Sequence, residues 1–125
     1  MIPLPEIMSR SAATFADTTA VSDGTASLTF AEVEARSNQL ANALRTLSRE
    51  RSGRVAILTP NRVESVELDF AIAKAGKVRV PINTRLSIDE RAYLLENSGA
   101  ETLLFITRHG GGIAAKERAE RLKRP

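Results

Sequence analysis

The sequence predicts an α/β fold: a parallel βαβαβ sheet flanked by helices and preceded by a β-hairpin. Three observations carry this. Apolar runs rich in Val, Ile and Leu begin at residues 55, 78 and 102, so they recur at spacings of 23 and 24 residues. Each interval holds one stretch of helical periodicity, and strand–helix–strand units of this kind pair in parallel through right-handed crossovers. Asp23-Gly24 lies between two short extended runs, where Gly accepts the positive φ of a tight turn.

Taken in order, residues 4–16 carry apolar side chains at Leu4, Ile7, Met8, Ala12 and Phe15, the spacing of a short amphipathic helix. The hairpin joins Thr19–Ser22 to Ala26–Leu28. Thr29 opens the next helix with Glu32 three residues on, as a capping box requires. Val33, Ser37, Leu40, Leu44 and Leu47 mark its inner face. After a polar loop, Val55-Ala56-Ile57-Leu58 is uninterrupted and apolar, the mark of a strand covered on both faces. Asn61 is the expected cap of the following helix, with Glu64 as box partner, and Gly76 its left-handed terminator. Val78–Ile82 is the next strand, and Pro81 restricts it because Pro donates nothing to a ladder. Ser87 and Glu90 cap a third helix, which Asn97-Ser98-Gly99 ends. Thr102–Ile106 is the last strand. Gly110-Gly111-Gly112 then forms a hinge before a charged helix expected at 113–123. No internal domain boundary shows before that hinge.

Composition limits the chemistry. The 125 residues include no Cys and one His, which excludes a disulfide scaffold, a thiolate nucleophile and Cys- or His-rich metal sites. No apolar run approaches the ~20 residues that span a bilayer, and Pro3, Pro5, Glu6 and Arg10 break any signal-peptide core. A cytoplasmic protein is expected. The net charge of +3 resides at the C-terminus, where residues 108–125 hold six basic and two acidic groups. A basic tail can bind nucleic acid, but a solvated helix face is the favoured reading, and five aromatic residues are few for base stacking.

Parallel sheets bind ligands beyond the carboxyl ends of their strands. Those ends read Thr59-Pro60-Asn61, Asn83-Thr84-Arg85 and Thr107-Arg108-His109. They lack the G-x-G-x-x-G of a dinucleotide site, the G-x-x-x-x-G-K-[ST] of a phosphate loop, and the acidic residues that hold Mg²⁺ in a receiver-like site. His109-Gly110-Gly111-Gly112 resembles an esterase oxyanion loop, but no G-x-S-x-G accompanies it. Arg85 is placed where a substrate anion could sit, and a salt bridge to Asp89 or Glu90 is the expected structural alternative. Glu64 and Glu67 read as the cap and exposed face of a helix. These criteria yield no catalytic, cofactor-binding or metal-binding residue.

Several strings taken together resemble a known family. They are Leu28-Thr29-Phe30-Ala31-Glu32-Val33, Asn38-Gln39-Leu40-Ala41-Asn42-Ala43-Leu44, Arg54–Asn61, and Ala71–Asn83 with its core Lys74-Ala75-Gly76. In this order and spacing they resemble the start of an adenylate-forming (AMP-binding) enzyme. Asn83-Thr84-Arg85-Leu86 resembles the acyl-CoA synthetases of fatty and aryl acids more than amino-acid adenylation domains. Ser52-Gly53-Arg54, Arg79 and the triple glycine depart from the family pattern.

The resemblance implies an incomplete N-terminal subdomain of the family fold. Residues 1–107 would be the N-terminal part of the AMP-binding large domain, and 108–125 a basic, Gly-hinged tail helix. It implies ATP, Mg²⁺ and CoA as cofactors of a full-length parent that activates a carboxylic acid through an acyl-adenylate. The family's phosphate loop, adenine and ribose contacts and catalytic Lys lie downstream of this region, so the chain alone is expected to be inactive. It is expected to self-associate or to pair with the missing remainder. The alternative is a non-catalytic α/β binding or assembly module on the same scaffold.

Overall fold

A computed structural model describes residues 2–47, 51–60 and 62–105, together with the backbone of residues 106 and 113–117. The elements in order are α1 (Leu4–Thr14), β1 (Thr19–Ser22), β2 (Ser27–Thr29), α2 (Phe30–Leu47), β3 (Arg54–Leu58), α3 (Val63–Lys74), β4 (Val78–Pro81), α4 (Ile88–Ser98), β5 (Thr102–Ile106) and β6 (Ile113–Glu117). They form two compact units interleaved in sequence, one from Met1–Thr46 and Asn61–Gly76, the other from Leu47–Pro60 and Lys77–Pro125. The sequence shows no such division, because each change of unit falls within or beside a continuous strand–helix pattern.

In the first unit, β1 and β2 pair antiparallel around a turn at Asp23-Gly24, with Gly24 at φ +90°. The Asp23 carboxylate organises this turn. Its Oδ1 accepts from Thr25 N (3.0 Å), Thr25 Oγ1 (2.7 Å) and Ala26 N (2.9 Å). The capping box of α2 forms as expected: Thr29 N donates to Glu32 Oε1 at 3.0 Å, and Glu32 N to Thr29 Oγ1 at 3.2 Å. Val33, Ser37, Ala41 and Leu44 face inward on α2, whereas Leu47 is exposed. Met8, Leu28, Val33 and Val63 make this unit's core, with Val21, Phe30, Val66 and Phe70 packed against it.

The start of α3 differs from expectation. The N-cap is Arg62, and Asn61 lies outside the described residues. Arg62 N donates to Ser65 Oγ at 3.2 Å. The first helical amide, Val63 N, donates to Asp23 Oδ2 at 3.3 Å. A negative charge at this helix start is therefore supplied from a hairpin forty residues earlier, in addition to Glu64 in the first turn, which suits both the unpaired amide and the helix dipole. Gly76 ends the segment at φ +72°, as expected.

In the second unit the sheet order is β4-β3-β5-β6. β3 is central and pairs parallel with β4 and with β5. Both faces of β3 are buried, with Val55 and Ala56 fully so, which fits its unbroken apolar sequence. α4 covers one face: Leu95 and the half-buried Leu86 and Leu94 pack with Ala56, Ile82 and Leu103.

The restriction posed by Pro81 is met by position. β4 is the outer strand of the described sheet and donates inward through Val78 N to Gly53 O (3.0 Å) and Ile82 N to Ile57 O (2.9 Å). Backbone amides alternate in direction, so Pro81 falls on an outward position where no ladder donor is needed.

The helix expected at 113–123 is corrected by the structure. Residues Ile113–Glu117 form strand β6, antiparallel to β5 in the register Thr102↔Glu117 to Ile106↔Ile113. The free edge of β5 offers a full ladder of backbone partners, and a weakly amphipathic helix of this length has little to set against it. Gly110-Gly111-Gly112 and residues 118–123 lie outside the described residues.

Candidate functional site

The carboxyl ends of the parallel strands, where a ligand would be sought first, are built as turns. Asn83 Oδ1 accepts from Arg85 N at 2.9 Å, and Leu86 N bonds Asn83 O at 3.3 Å. Arg91 Nη2 donates to Thr84 O. Ser87 Oγ then caps α4 by accepting from Glu90 N at 3.2 Å. The Asn-x-Arg-Leu string thus folds the chain from β4 into α4. Arg85 itself is exposed, and the expected bridge to Asp89 or Glu90 is not formed. Thr107-Arg108-His109, and with them the glycine-rich string, lie outside the described residues.

Glu64 and Glu67 are also corrected. Both are buried, and neither is a cap or an exposed face. Arg36 grips Glu67 from α2, with Nε 2.5 Å from Oε2 and Nη2 donating to Oε1 at 3.0 Å. Arg62 Nε stands 3.5 Å from Glu64 Oε2. Burial raises the Glu67 pKa; Arg36 opposes the shift and nearby Glu64 adds to it. A periodicity argument fails here because each carboxylate is carried inward with an arginine partner.

The densest polar cluster centres on Lys74, which the sequence reading used only as part of a motif. Its side chain is 8% exposed. Nζ lies 2.7 Å from Ser37 Oγ, 2.8 Å from Asn38 Oδ1 and 3.4 Å from Glu34 O. Glu34 Oε1, at 3.1 Å, completes its surroundings. That same oxygen accepts from Ser9 Oγ (3.1 Å) and Asn38 Nδ2 (3.2 Å). Arg45 closes the far side, donating to Lys74 O at 2.6 Å and Asn42 Oδ1 at 2.8 Å. Lys74, Ser9, Asn38, Asn42 and Arg45 line a groove of about 480 Å³ with Pro5 and Ala41. Both cations direct their donors at protein oxygens, so the groove works as a bracket joining α1, α2 and α3 and not as an anion receptor.

A second groove, about 420 Å³, runs along α4 and is lined by Leu86, Asp89, Glu90, Tyr93 and Leu94. It is mainly apolar and holds no nucleophile–base pair. Among the described residues no group of three or more His, Cys, Asp or Glu is placed to hold a metal, and the glycines at 24, 76 and 99 serve turns and helix ends. No helix among the described residues is long and apolar enough to cross a membrane.

Comparison with known proteins gives a consistent picture. The sequence profile of a family described as AMP-binding enzyme matches residues 8–124. A feruloyl-CoA synthase from Amycolatopsis is 39% identical over 107 residues, which is 86% of this chain and 22% of that protein. A long-chain-fatty-acid–CoA ligase from Mycobacterium tuberculosis, FadD13, is 40% identical over 78 residues, 62% of this chain and 16% of that one. The crystal structure of the N-terminal domain of FACL13 from Mycobacterium tuberculosis superposes with a TM-score of 0.77 at 34% identity, covering 84% of this chain and 27% of that chain. The chain therefore spans about a fifth of the length of the curated relatives it matches.

Proposed function

Since this chain belongs to the AMP-binding enzyme family, we propose that it is the N-terminal portion of an ATP-dependent acyl-CoA synthetase for fatty or aryl carboxylic acids. The observation that carries this is the agreement of fold and extent: the FACL13 N-terminal domain matches 84% of this chain but is itself more than three times longer than the matched part. The feruloyl-CoA and long-chain-fatty-acid relatives support the substrate class. ATP, Mg²⁺ and CoA would serve the whole enzyme, and the adenylating groups would reside outside these residues.

In this reading residues 1–107 supply a structural part of the large domain, and β6 at 113–117 continues its sheet beyond β5. The protein works in the cytoplasm. The outer strand β4, with Val78 46% exposed, favours self-association or pairing with further chain. Light scattering over a dilution series reads this, and a monodisperse 13.6 kDa monomer at high concentration would oppose it.

The test of the function is the DNA beyond the Pro125 codon. An in-frame continuation encoding a Thr-, Ser- and Gly-rich phosphate loop is expected. A native stop codon with no such piece downstream would overturn the reading in favour of a non-catalytic module.

A further inference from the structure

The hairpin turn between β1 and β2 carries a chemistry that adenylation leaves unused. Asp23-Gly24 is the only Asp–Gly or Asn–Gly pair in the chain. We propose that it is a covalent modification site: the bond between the two residues isomerises through a succinimide to isoaspartate, and the hydrogen bond from α3 to Asp23 holds the site shut in the folded unit.

The step is a condensation followed by a hydrolysis. Gly24 N attacks the side-chain carboxyl carbon of Asp23, the amide proton is lost, and the carboxyl hydroxyl leaves as water to close a cyclic imide. Water then opens either imide carbonyl. One opening restores Asp23. The other routes the main chain through the former side chain and adds a methylene to the backbone of the turn. Atoms balance with water alone.

The turn is open to this attack. A Cβ built on Gly24 would meet nothing within 4 Å, so the flank of its nitrogen is clear. The Gly24 amide donates only a long bond, 3.4 Å to Ser22 Oγ. Residues 22–27 are exposed, so water reaches the imide.

The carboxylate withholds the reaction. Ring closure takes the neutral acid, and it needs the carboxyl carbon to swing onto Gly24 N. Four donors oppose both requirements: Thr25 N, Thr25 Oγ1 and Ala26 N bond Oδ1, and Val63 N bonds Oδ2 at 3.3 Å. Together they fix both oxygens and keep the group ionised, well below the ordinary carboxylate range. Three of these bonds lie inside the hairpin. The fourth comes from the first residue of α3, so it alone depends on the hairpin being docked on that helix. In isoaspartate the free carboxylate sits directly on Cα, one methylene short of its former reach. The product therefore does not rebuild the contact with Val63, and each opening that reacts is recorded in one direction.

The test follows isoaspartate at residue 23 by liquid chromatography and mass spectrometry in the full-length chain, held at near-neutral pH both folded and in urea. Formation is expected to be more than about ten-fold slower in the folded chain, the factor for losing hydrogen bonds to a charged group on unfolding. Two variants locate the guard, each checked by far-UV circular dichroism. Val63→Pro deletes the amide donor at the first helical position, where proline is accepted, and Arg62 before it is already extended at φ −141° and ψ 170°. Val63→Ala trims the same side chain and keeps the amide. Folded Val63→Pro is expected to react about three- to ten-fold faster than folded Val63→Ala, the factor for one hydrogen bond. The comparison of folded and unfolded unmodified chain needs no variant to fold. Equal rates in those two states overturn the proposal, as does the absence of isoaspartate in urea. Folded Val63→Pro reacting no faster than Val63→Ala also overturns it, because the turn's own bonds would then be the guard.

Discussion

Lys74→Met tests the polar bracket most sharply, because the substitution keeps the apolar stem and removes only the ammonium. The change leaves Glu34 without its cation, and Glu34 Oε2 is already buried without a hydrogen-bond partner. Removing one partner of a fully buried ion pair costs ~3–5 kcal/mol. Glu34 is 21% exposed and keeps Ser9 and Asn38, so the loss scales to about 2–3 kcal/mol. The bond from Arg45 to Lys74 O involves the backbone and survives the change.

Urea denaturation reads this as a midpoint lowered by about 1–2 M. A double-mutant cycle with Glu34→Gln isolates the pair, with an expected coupling of about 1–3 kcal/mol. A loss below about 0.5 kcal/mol, within the range of ordinary surface changes, would refute the reasoning and make Lys74 a surface group.

Three further outcomes follow from particular groups. Gly76→Val forces a β-branched residue to φ +72° and should cost ~1–3 kcal/mol in chemical denaturation; no midpoint shift would mean the segment tolerates the left-handed turn. Asp23 is held below the ordinary carboxylate range, first by its bonds from the Thr25 side chain and backbone and then by Ala26 and Val63. Its stabilisation is therefore present above pH 3.8 and lost as pH falls below it, so Asp23→Ala should flatten the acid limb of a stability–pH profile. Glu67 has the opposite sign: its raised pKa means that the unmodified chain loses stability relative to Glu67→Gln as pH rises above 4.5. A difference that grows with acidity instead would contradict the cause assigned, which is burial.

What the sequence made legible was local. The Thr29/Glu32 and Ser87/Glu90 caps and the left-handed glycines 76 and 99 depend on neighbours within a turn, and all stand where the residues predict. The parallel order of the strands at 54, 78 and 102 also follows from a short repeat. The polar bracket was not legible, because Lys74 meets Glu34 and Asp23 meets Val63 across forty residues with no period to announce it. Burial of Glu64 and Glu67 was missed for a related reason, since a carboxylate reads as surface until its arginine is located. The strand at 113–117 shows the other limit: weak helical spacing gave no sign that the edge of β5 would pair there.

The central claim is that these residues form the scaffold of an adenylate-forming enzyme and none of its active site. ATP–pyrophosphate exchange by the purified chain, over a panel of fatty and aryl acids with Mg²⁺, tests this most directly. The account predicts exchange no higher than that of a protein-free blank, because no described loop or acidic cluster can cradle the triphosphate and its metal. Acid-dependent exchange clearly above the blank would contradict it.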